Sequence, residues 1–189
     1  PPRSTLFPYT TLFRSWNIDF IKGGPELPPS KQIDRLQSWT DFGDDKLRDF
    51  SGTGVYKIRF SRPKGKADAW MLNLGIVKES ATVILNGENI ASLIGPDFSL
   101  ILGKKQLKRS NTLEIKVSNL MANRISYMDR NNIEWKKFYN INMAARMRQN
   151  TKNGLFDASS WAPFASGLIG PVSLTPLRLA RKGGVSGEE

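Results

Sequence analysis

The chain contains no cysteine and no histidine among its 189 residues. The absence of cysteine excludes disulfide bonds, a thiolate nucleophile and iron–sulfur clusters. The absence of histidine excludes an imidazole base, a Ser-His-Asp triad and zinc sites of ordinary composition. Catalysis would have to use carboxylates, lysine, tyrosine or an oxygen-ligated metal. Long hydrophobic runs are also missing, since the longest, such as Trp70–Leu72, are far too short to span a bilayer.

The composition that remains is that of a basic, globular protein. Lysine and arginine number 28 against 17 acidic residues, which gives a net charge of +11. Hydrophobic residues make up 39% and aromatic residues 10% of the chain, and these fractions argue against disorder. The length fits one domain with a substantial core.

The first fifteen residues read differently from the rest. Pro1 to Ser15 matches, codon for codon, the in-frame translation of an adapter used in short-read DNA sequencing. A transit peptide is the alternative, because the segment carries arginine and serine and no acid. We expect residues 1–15 to be no part of the natural protein, the true N-terminus to be missing, and the segment to stay unpacked.

Short stretches of alternating apolar and polar residues fill the next hundred positions. Tyr56, Ile58 and Phe60 face one way from a strand, and Asn86-Gly87 suits the two-residue turn of a hairpin. Many short strands with turns between them predict an antiparallel sandwich or barrel. The predicted inward residues are Tyr56, Ile58, Phe60, Leu72, Leu74, Val83, Leu85, Leu113, Ile115, Val117 and Leu174.

The interval from Met121 to Gly170 is aromatic, basic and weakly periodic. We expect it to be a long loop excursion packed on the sandwich, with a helical turn near Asn132–Phe138. Another helical turn is expected over Lys31–Gln37. The sandwich domain is predicted to span residues 16–179, and the glycine-rich residues 180–189 to form a flexible tail.

Four segments in order resemble the sugar-binding-type jelly roll of the β-galactosidase and β-glucuronidase enzymes. They are Ser38–Phe60, Leu74–Gly87, Asn111–Asn119 and Ser166–Leu174. Motifs in the excursion make the resemblance more specific. Its Asn123-Arg124, Trp135–Asn142, Gly154–Asp157 and Trp161 look like the C-terminal sandwich of the α-L-rhamnosidase family, glycoside hydrolase family 106 type.

This resemblance implies an all-β, antiparallel β-sandwich, a galactose-binding-domain-like jelly roll with a long loop excursion. It implies a truncated bacterial exo-glycosidase, secreted or periplasmic, with its catalytic carboxylates and a calcium ion in an upstream barrel. The chain would then be a non-catalytic C-terminal module, itself inactive, whose partner is the barrel of the same polypeptide. No catalytic residue carries over, and an autonomous carbohydrate-binding module is the alternative.

Aromatic and polar residues in predicted loops are the candidate carbohydrate contacts, because sugar faces stack on aromatic rings. The alternative is that such rings anchor the excursion on the sandwich or on the barrel. The candidates are Trp39, Arg124, Trp135, Tyr139 and Trp161.

Carboxylates offer two further candidates. Asp41, Asp44 and Asp45 could ligate calcium, although their spacing departs from an EF-hand and a solvated acidic loop is the simpler interpretation. Glycoside hydrolysis needs two acids across one bond, and Asp129 with Glu134, or Asp157 with Glu79, are formal pairs. Nothing in the sequence places either pair in a pocket.

A basic cluster follows the middle strands, at Lys104, Lys105, Lys108 and Arg109. Such clusters bind nucleic acid in some proteins, whereas lysines near a strand edge also protect it from aggregation. Because the charge is dispersed along the chain and no binding motif accompanies it, we expect neither nucleic acid nor membrane as a partner.

Overall fold

The computed structural model describes residues 11–136 and 147–178. It is an antiparallel β-sandwich, as the sequence predicted. The strands are β1 (Thr11–Leu12), β2 (Trp16–Gly24), β3 (Lys31–Ile33), β4 (Ser51–Ser61), β5 (Ala69–Asn73), β6 (Ile76–Lys78), β7 (Ser80–Leu85), β8 (Glu88–Ile94), β9 (Ser99–Gly103), β10 (Ser110–Ser118), β11 (Thr151–Lys152), β12 (Leu155–Phe156), β13 (Gly167–Gly170) and β14 (Ser173–Leu177).

Two sheets form the layers of the sandwich. One has the order β3-β2-β4-β10-β7-β8, and the other has the order β1-β14-β5-β9. Strand β13 pairs with β6, and β11 pairs with β12 in a small hairpin. The described helices are α1 (Asp45–Arg48) and α2 (Ala122–Arg130), with 3-10 turns at Trp39–Asp41 and Arg148–Asn150.

Alternation along the strands builds one continuous core between the sheets. Strands β4 and β10 place Ile58 opposite Leu113 and Tyr56 opposite Ile115, so these side chains share the inner face. Strands β5 and β14 supply the facing layer, with Leu72 opposite Leu174. The predicted core residues are buried, except that Phe60 is half-buried against the cluster. The predicted strand register is therefore confirmed.

The hairpin predicted at Asn86-Gly87 is also confirmed. It joins β7 to β8, and both turn residues have positive φ, 55° at Asn86 and 85° at Gly87. A two-residue turn of this kind matches the twist of the flanking strands. The Asn86 side chain also holds the start of β10, because its Oδ1 accepts from the Thr112 backbone nitrogen at 3.0 Å.

Two helical expectations were wrong. Lys31–Ile33 forms an edge strand rather than a helical turn, since it pairs with Trp16, Asn17 and Ile18 of β2. In the excursion the helix is α2, which ends before Asn132, and residues 132–136 are not helical. Its buried face carries Asn123 and Ser126 beside Met128, so apolar residues alone do not mark the face that packs on the sandwich.

The expectation that residues 1–15 stay unpacked is wrong for residues 11–13, and residues 1–10 lie outside the described residues. Thr11–Leu12 pairs with β14, and Phe13 is buried, with its ring centroid 4.8 Å from that of Phe60. An apolar ring that covers an exposed part of the core lowers the free energy of the folded state, because it removes apolar surface from water. The predicted tail at 180–189 lies outside the described residues.

Candidate functional site

A row of aromatic rings runs through the described part of the excursion. Trp135 packs edge-on against Phe156, Phe156 against Trp161, and Trp161 against Phe164, with ring centroids 5.8 to 6.3 Å apart. Helix α2 holds one end of this row, because the Asn123 amide exchanges two hydrogen bonds with the Phe164 backbone. Edge-to-face aromatic contacts stabilise beyond simple burial. The rings therefore form a partly buried aromatic cluster that links the parts of the excursion.

Asp129, near the end of α2, is the polar centre of this segment. Its carboxylate is 4% exposed and pairs with the Lys136 ammonium at 2.8 Å. Its oxygens also accept from the Trp135 indole nitrogen and from the Ala158 backbone nitrogen, each at 2.8 Å. A buried carboxylate needs such partners to offset its desolvation. Asp129 thus ties the helix, the strand-free stretch after it and the segment following β12 together.

A cleft of about 260 Å³ opens beside Asp129. Carboxylates, an amide, an ammonium and one aromatic ring line it. The lining residues are Asp129, Asn132, Ile133, Glu134, Trp135, Lys136 and Asp157. This is the one place in the described residues where several sequence-predicted candidates meet: the formal acids Asp129, Glu134 and Asp157, and the aromatic candidate Trp135.

Two carboxylates of the cleft, Asp129 and Asp157, accept hydrogen bonds from donors within the chain. Burial alone would raise the pKa of Asp157, but hydrogen bonds from the Ser159 hydroxyl and backbone nitrogen, with the charges of Lys136 and Lys152, lower it overall. The oxygens of Asp129 already accept from three donors. Asp157 therefore lacks the raised pKa that a general acid in glycoside hydrolysis needs. Glu79, between β6 and β7, does not line the cleft.

Trp39 is not a carbohydrate contact, which corrects one prediction. Its side chain is fully buried and packs against Phe20 and Phe50. Its indole nitrogen donates to the Tyr56 hydroxyl at 2.7 Å. The alternation of the sequence could not reveal this burial, because Trp39 sits in a 3-10 turn where no strand period applies.

The other carbohydrate candidates have different surroundings where the structure describes them. Arg124 packs over the Tyr127 ring and so close to Gly24 that a Cβ there would lie 3.2 Å from its guanidinium carbon. It does not line the cleft. Trp161 donates to Asn150 at 2.9 Å and is half-buried in the aromatic row. Tyr139 lies outside the described residues.

The three calcium candidates each have another partner. The Asp44 side chain caps helix α1 through the Lys46 backbone nitrogen and pairs with Lys31 at 3.3 Å. Asp45 pairs with Arg48 at 2.9 Å, and Asp41 accepts from Thr40. Across 11–136 and 147–178, no group of three or more acidic side chains is placed to hold a metal ion. These contacts engage the three carboxylates within the chain, and calcium binding there stays a prediction.

The sequence reasoning missed a buried polar network that fixes the excursion. The Asn119 amide donates to the Ser166 hydroxyl at 2.9 Å and to the Phe50 carbonyl at 3.0 Å. The Ser166 backbone nitrogen in turn donates to the Ser38 hydroxyl at 2.9 Å. These residues are far apart in the chain, so no local pattern could have joined them.

Known proteins share this architecture. The structure of a rhamnosidase from Novosphingobium sp. PP1Y superposes with a TM-score of 0.69 over 88% of this chain and 15% of that one, at 26% identity. A beta-glucuronidase from Ruminococcus gnavus superposes with a TM-score of 0.54 over 89% of this chain and 28% of that one, at 21% identity. The fold is therefore that of a β-sandwich domain found in glycoside hydrolases.

A sequence relative agrees with these structures. The chain is 31% identical over 117 residues to a protein of Formosa agariphila whose name marks it as a provisionally assigned beta-glucuronidase. The match covers 60% of this chain and 10% of that protein, so the chain spans only a small part of the larger proteins it resembles. No protein-family model matches the chain. Within the described residues, no helix is long and apolar enough to cross a membrane.

Proposed function

We propose that this chain is a non-catalytic β-sandwich module of an α-L-rhamnosidase-like glycoside hydrolase and supports that enzyme's catalytic barrel. The observation that carries the proposal is the likeness to the Novosphingobium rhamnosidase, which extends over 88% of this chain but only 15% of that enzyme. An accessory module is expected to match one domain of a far longer enzyme in this way.

The internal contacts support an architectural role. Trp39 is used in the core, and Trp135 and Trp161 are tied to Asp129 and Asn150. The indole nitrogen of each of these three tryptophans donates to a partner within the chain. Rings fixed in this way shape a surface and hold a long segment in place, which is the role a module packed on a barrel requires.

Lack of autonomous hydrolysis is the testable core of the proposal. The purified chain would be assayed with an aryl α-L-rhamnoside, with and without calcium, and we expect no turnover. Joining it to a catalytic barrel of the rhamnosidase type should raise the barrel's stability. Turnover by the chain alone that disappears in Asp129→Asn, Glu134→Gln or Asp157→Asn would overturn the proposal and place an active site in the excursion.

An autonomous carbohydrate-binding module is the second candidate. The observation that favours it is the cleft, in which the half-buried Trp135 ring lies beside Asn132, Glu134 and Lys136. A ring edged by polar groups is the arrangement that neutral sugars use. A glycan array separates the two functions, because an architectural module binds no neutral glycan through this cleft. The same family likeness leads us to propose that the parent enzyme is bacterial and secreted or periplasmic.

A further inference from the structure

Two connections run side by side over one end of the sandwich. One joins β4 to β5 through Arg62–Asp68, and the other joins β9 to β10 through Lys104–Arg109. Each passes between the six-stranded and the four-stranded sheet. They are bonded to each other, since the Arg62 backbone nitrogen donates to the Arg109 carbonyl at 3.0 Å. At the other side, Ala69 lies opposite Gly103.

Together these connections, which we call the cationic end, concentrate positive charge. They contain seven cationic residues and a single carboxylate, that of Asp68. The Arg62 side chain is half-buried and the other six cations are exposed. The cations are Arg62, Lys64, Lys66, Lys104, Lys105, Lys108 and Arg109. The sequence separates them into two groups about forty positions apart, and only the topology makes them one surface.

Among the residues that the structure describes, these cations are distinguished by lying together without an ion pair, since some cations elsewhere are paired and the unpaired ones, such as Lys22 and Lys116, lie in other parts of the fold. Lys31, Lys46, Lys57, Arg130 and Lys136 each pair with a carboxylate within 4 Å. In the described residues no ion pair involves any of the seven cations of the cationic end. Unpaired like charges held together create a local positive potential, which costs stability and attracts anions. Such an arrangement calls for an external counterpart.

The backbone of the cationic end is fixed by its own contacts. Leu107 is buried and anchors its connection to the core, whereas the nearby Lys105 and Lys108 are exposed to solvent. The Gln106 side chain accepts from the Gly103 backbone nitrogen at 2.7 Å, and the Asn111 amide exchanges two hydrogen bonds with the Lys108 backbone. A surface ordered beforehand loses less entropy when a ligand binds.

We propose that the cationic end binds an anionic polysaccharide, a chain of sugars carrying carboxylate or sulfate groups. This inference rests on the proposed function, because a module of a polysaccharide-degrading enzyme meets such chains. Five of the seven cations are lysines, which act as point charges on long stems and accept either anion without fixed geometry. The surface thus deepens the proposed role by naming the charge of the polymer that the parent enzyme encounters.

Two other roles fit the observations less well. Neither connection contains an aromatic residue, so bases of a single-stranded nucleic acid would find no ring to stack on. Protection of a strand edge would place lysines within the edge strand itself. Strand β9 lies at the edge of its sheet, but its sequence Ser-Leu-Ile-Leu-Gly has no charge, and the lysines follow it.

The test compares matched charge removals in the full chain. Variant one is Lys104→Ser with Lys105→Ser and Lys108→Ser, and variant two is Lys64→Ser with Lys66→Ser. The control triple removes three exposed lysines elsewhere: Lys22→Ser, Lys116→Ser and Lys152→Ser. Binding to polygalacturonate, dextran sulfate, neutral dextran and a short DNA duplex is measured by titration at about 50 mM and about 500 mM salt. Circular dichroism checks that each variant is folded.

We expect the wild-type chain to bind polygalacturonate, dextran sulfate or both at low salt, and to ignore neutral dextran. Variants one and two should each weaken that binding by about tenfold, since both connections form one surface, and the control triple should weaken it by less than about threefold. A Lys104→Arg, Lys105→Arg, Lys108→Arg variant keeps the charge and should keep the binding. The polymer that binds more tightly identifies the anion.

Three results would overturn the inference: no binding to either anionic polysaccharide, an equal loss in the control triple, or tighter binding to the DNA duplex than to both polysaccharides. The last would make the surface a nucleic-acid site. None of these results bears on the proposed function, which is judged by the rhamnoside assay. Turnover by the isolated chain would in turn leave the binding comparison intact.

Discussion

The Trp39 indole nitrogen and the Tyr56 hydroxyl form a buried hydrogen bond of 2.7 Å, and the same hydroxyl accepts from the Leu168 backbone nitrogen at 2.9 Å. One oxygen therefore joins the 3-10 turn that begins at Trp39, the long central strand β4 and the strand β13 that closes the excursion. Both side chains are fully buried, so water cannot replace either bond. This junction holds the excursion against the sandwich.

Removing the Tyr56 hydroxyl should destabilise the fold strongly. Tyr56→Phe leaves two buried donors without a partner, and each such donor costs about 1–3 kcal/mol. We expect the free energy of unfolding, measured by urea denaturation, to fall by about 2 kcal/mol or more. Tyr127→Phe is the matched control, because Tyr127 is only half-buried. A loss no larger than that of the control would contradict the junction.

Alkaline pH should weaken the same junction. Burial raises the pKa of Tyr56 above its usual range, against hydrogen bonds from Leu168 and Trp39 that lower it. The unfolded chain, with a tyrosine pKa of about 10, loses this proton first. The stability is thus fully present below about pH 10 and is lost as the pH rises further. Between about pH 9 and 11, the free energy of unfolding from urea denaturation should fall more steeply in the wild-type chain than in Tyr56→Phe. Parallel curves would show that the raised pKa of Tyr56 does not cause the loss.

Two glycines with similar backbone angles should respond very differently to alanine. Gly87 has φ of 85° and open space around it, whereas a Cβ at Gly167, with φ of 88°, would overlap the Trp39 indole nitrogen and lie 2.6 Å from the Tyr56 hydroxyl. Gly87→Ala should cost about 1–2 kcal/mol from the backbone alone. Gly167→Ala should add an overpacking cost of about 1–3 kcal/mol. Equal unfolding midpoints for the two variants would show that a methyl group at position 167 fits beside Trp39 and Tyr56.

Neighbouring residues of β9 test the strand register. Leu102 is 1% exposed and Ile101 is 66% exposed, so they face opposite sides of the sheet. Leu102→Ala should lower the free energy of unfolding by about 2–5 kcal/mol, and Ile101→Ala by less than about 0.5 kcal/mol. Thermal and urea unfolding of the pair give the answer. The reverse order of costs would mean a one-residue shift of the strand.

Asp129→Asn should loosen the excursion more than the sandwich. The substitution removes the charge that pairs with Lys136 at 2.8 Å and weakens the bonds from Trp135 and Ala158. We expect faster amide hydrogen exchange in residues 131–136 and 155–158, with strands β4 and β10 unchanged. Glu134→Gln is the control, since Glu134 is exposed in the same cleft. Equal amide exchange in the two variants would show that Asp129 does not hold these segments together.

Much of the fold could be predicted because strands leave a local pattern in the sequence. Side chains alternate across a sheet, so Tyr56, Ile58, Leu113 and Ile115 could be placed in the core from their spacing. Asn86-Gly87 could be placed in a hairpin turn because few residue pairs accept positive φ at both positions. Helix α2 was missed because its buried face is polar: Asn123 is fixed by the Phe164 backbone rather than by an apolar stripe.

The strands, their inward faces, one hairpin and the resemblance to glycoside hydrolase sandwiches could be inferred from the amino-acid sequence, since each depends on neighbours in the chain. The burial of Trp39, the three donors to Asp129 and the meeting of two basic connections at one end emerge from the folded structure. These depend on segments that are distant in sequence and adjacent in space. Burial and hydrogen bonding across such distances have no local period, so the folded chain alone reveals them.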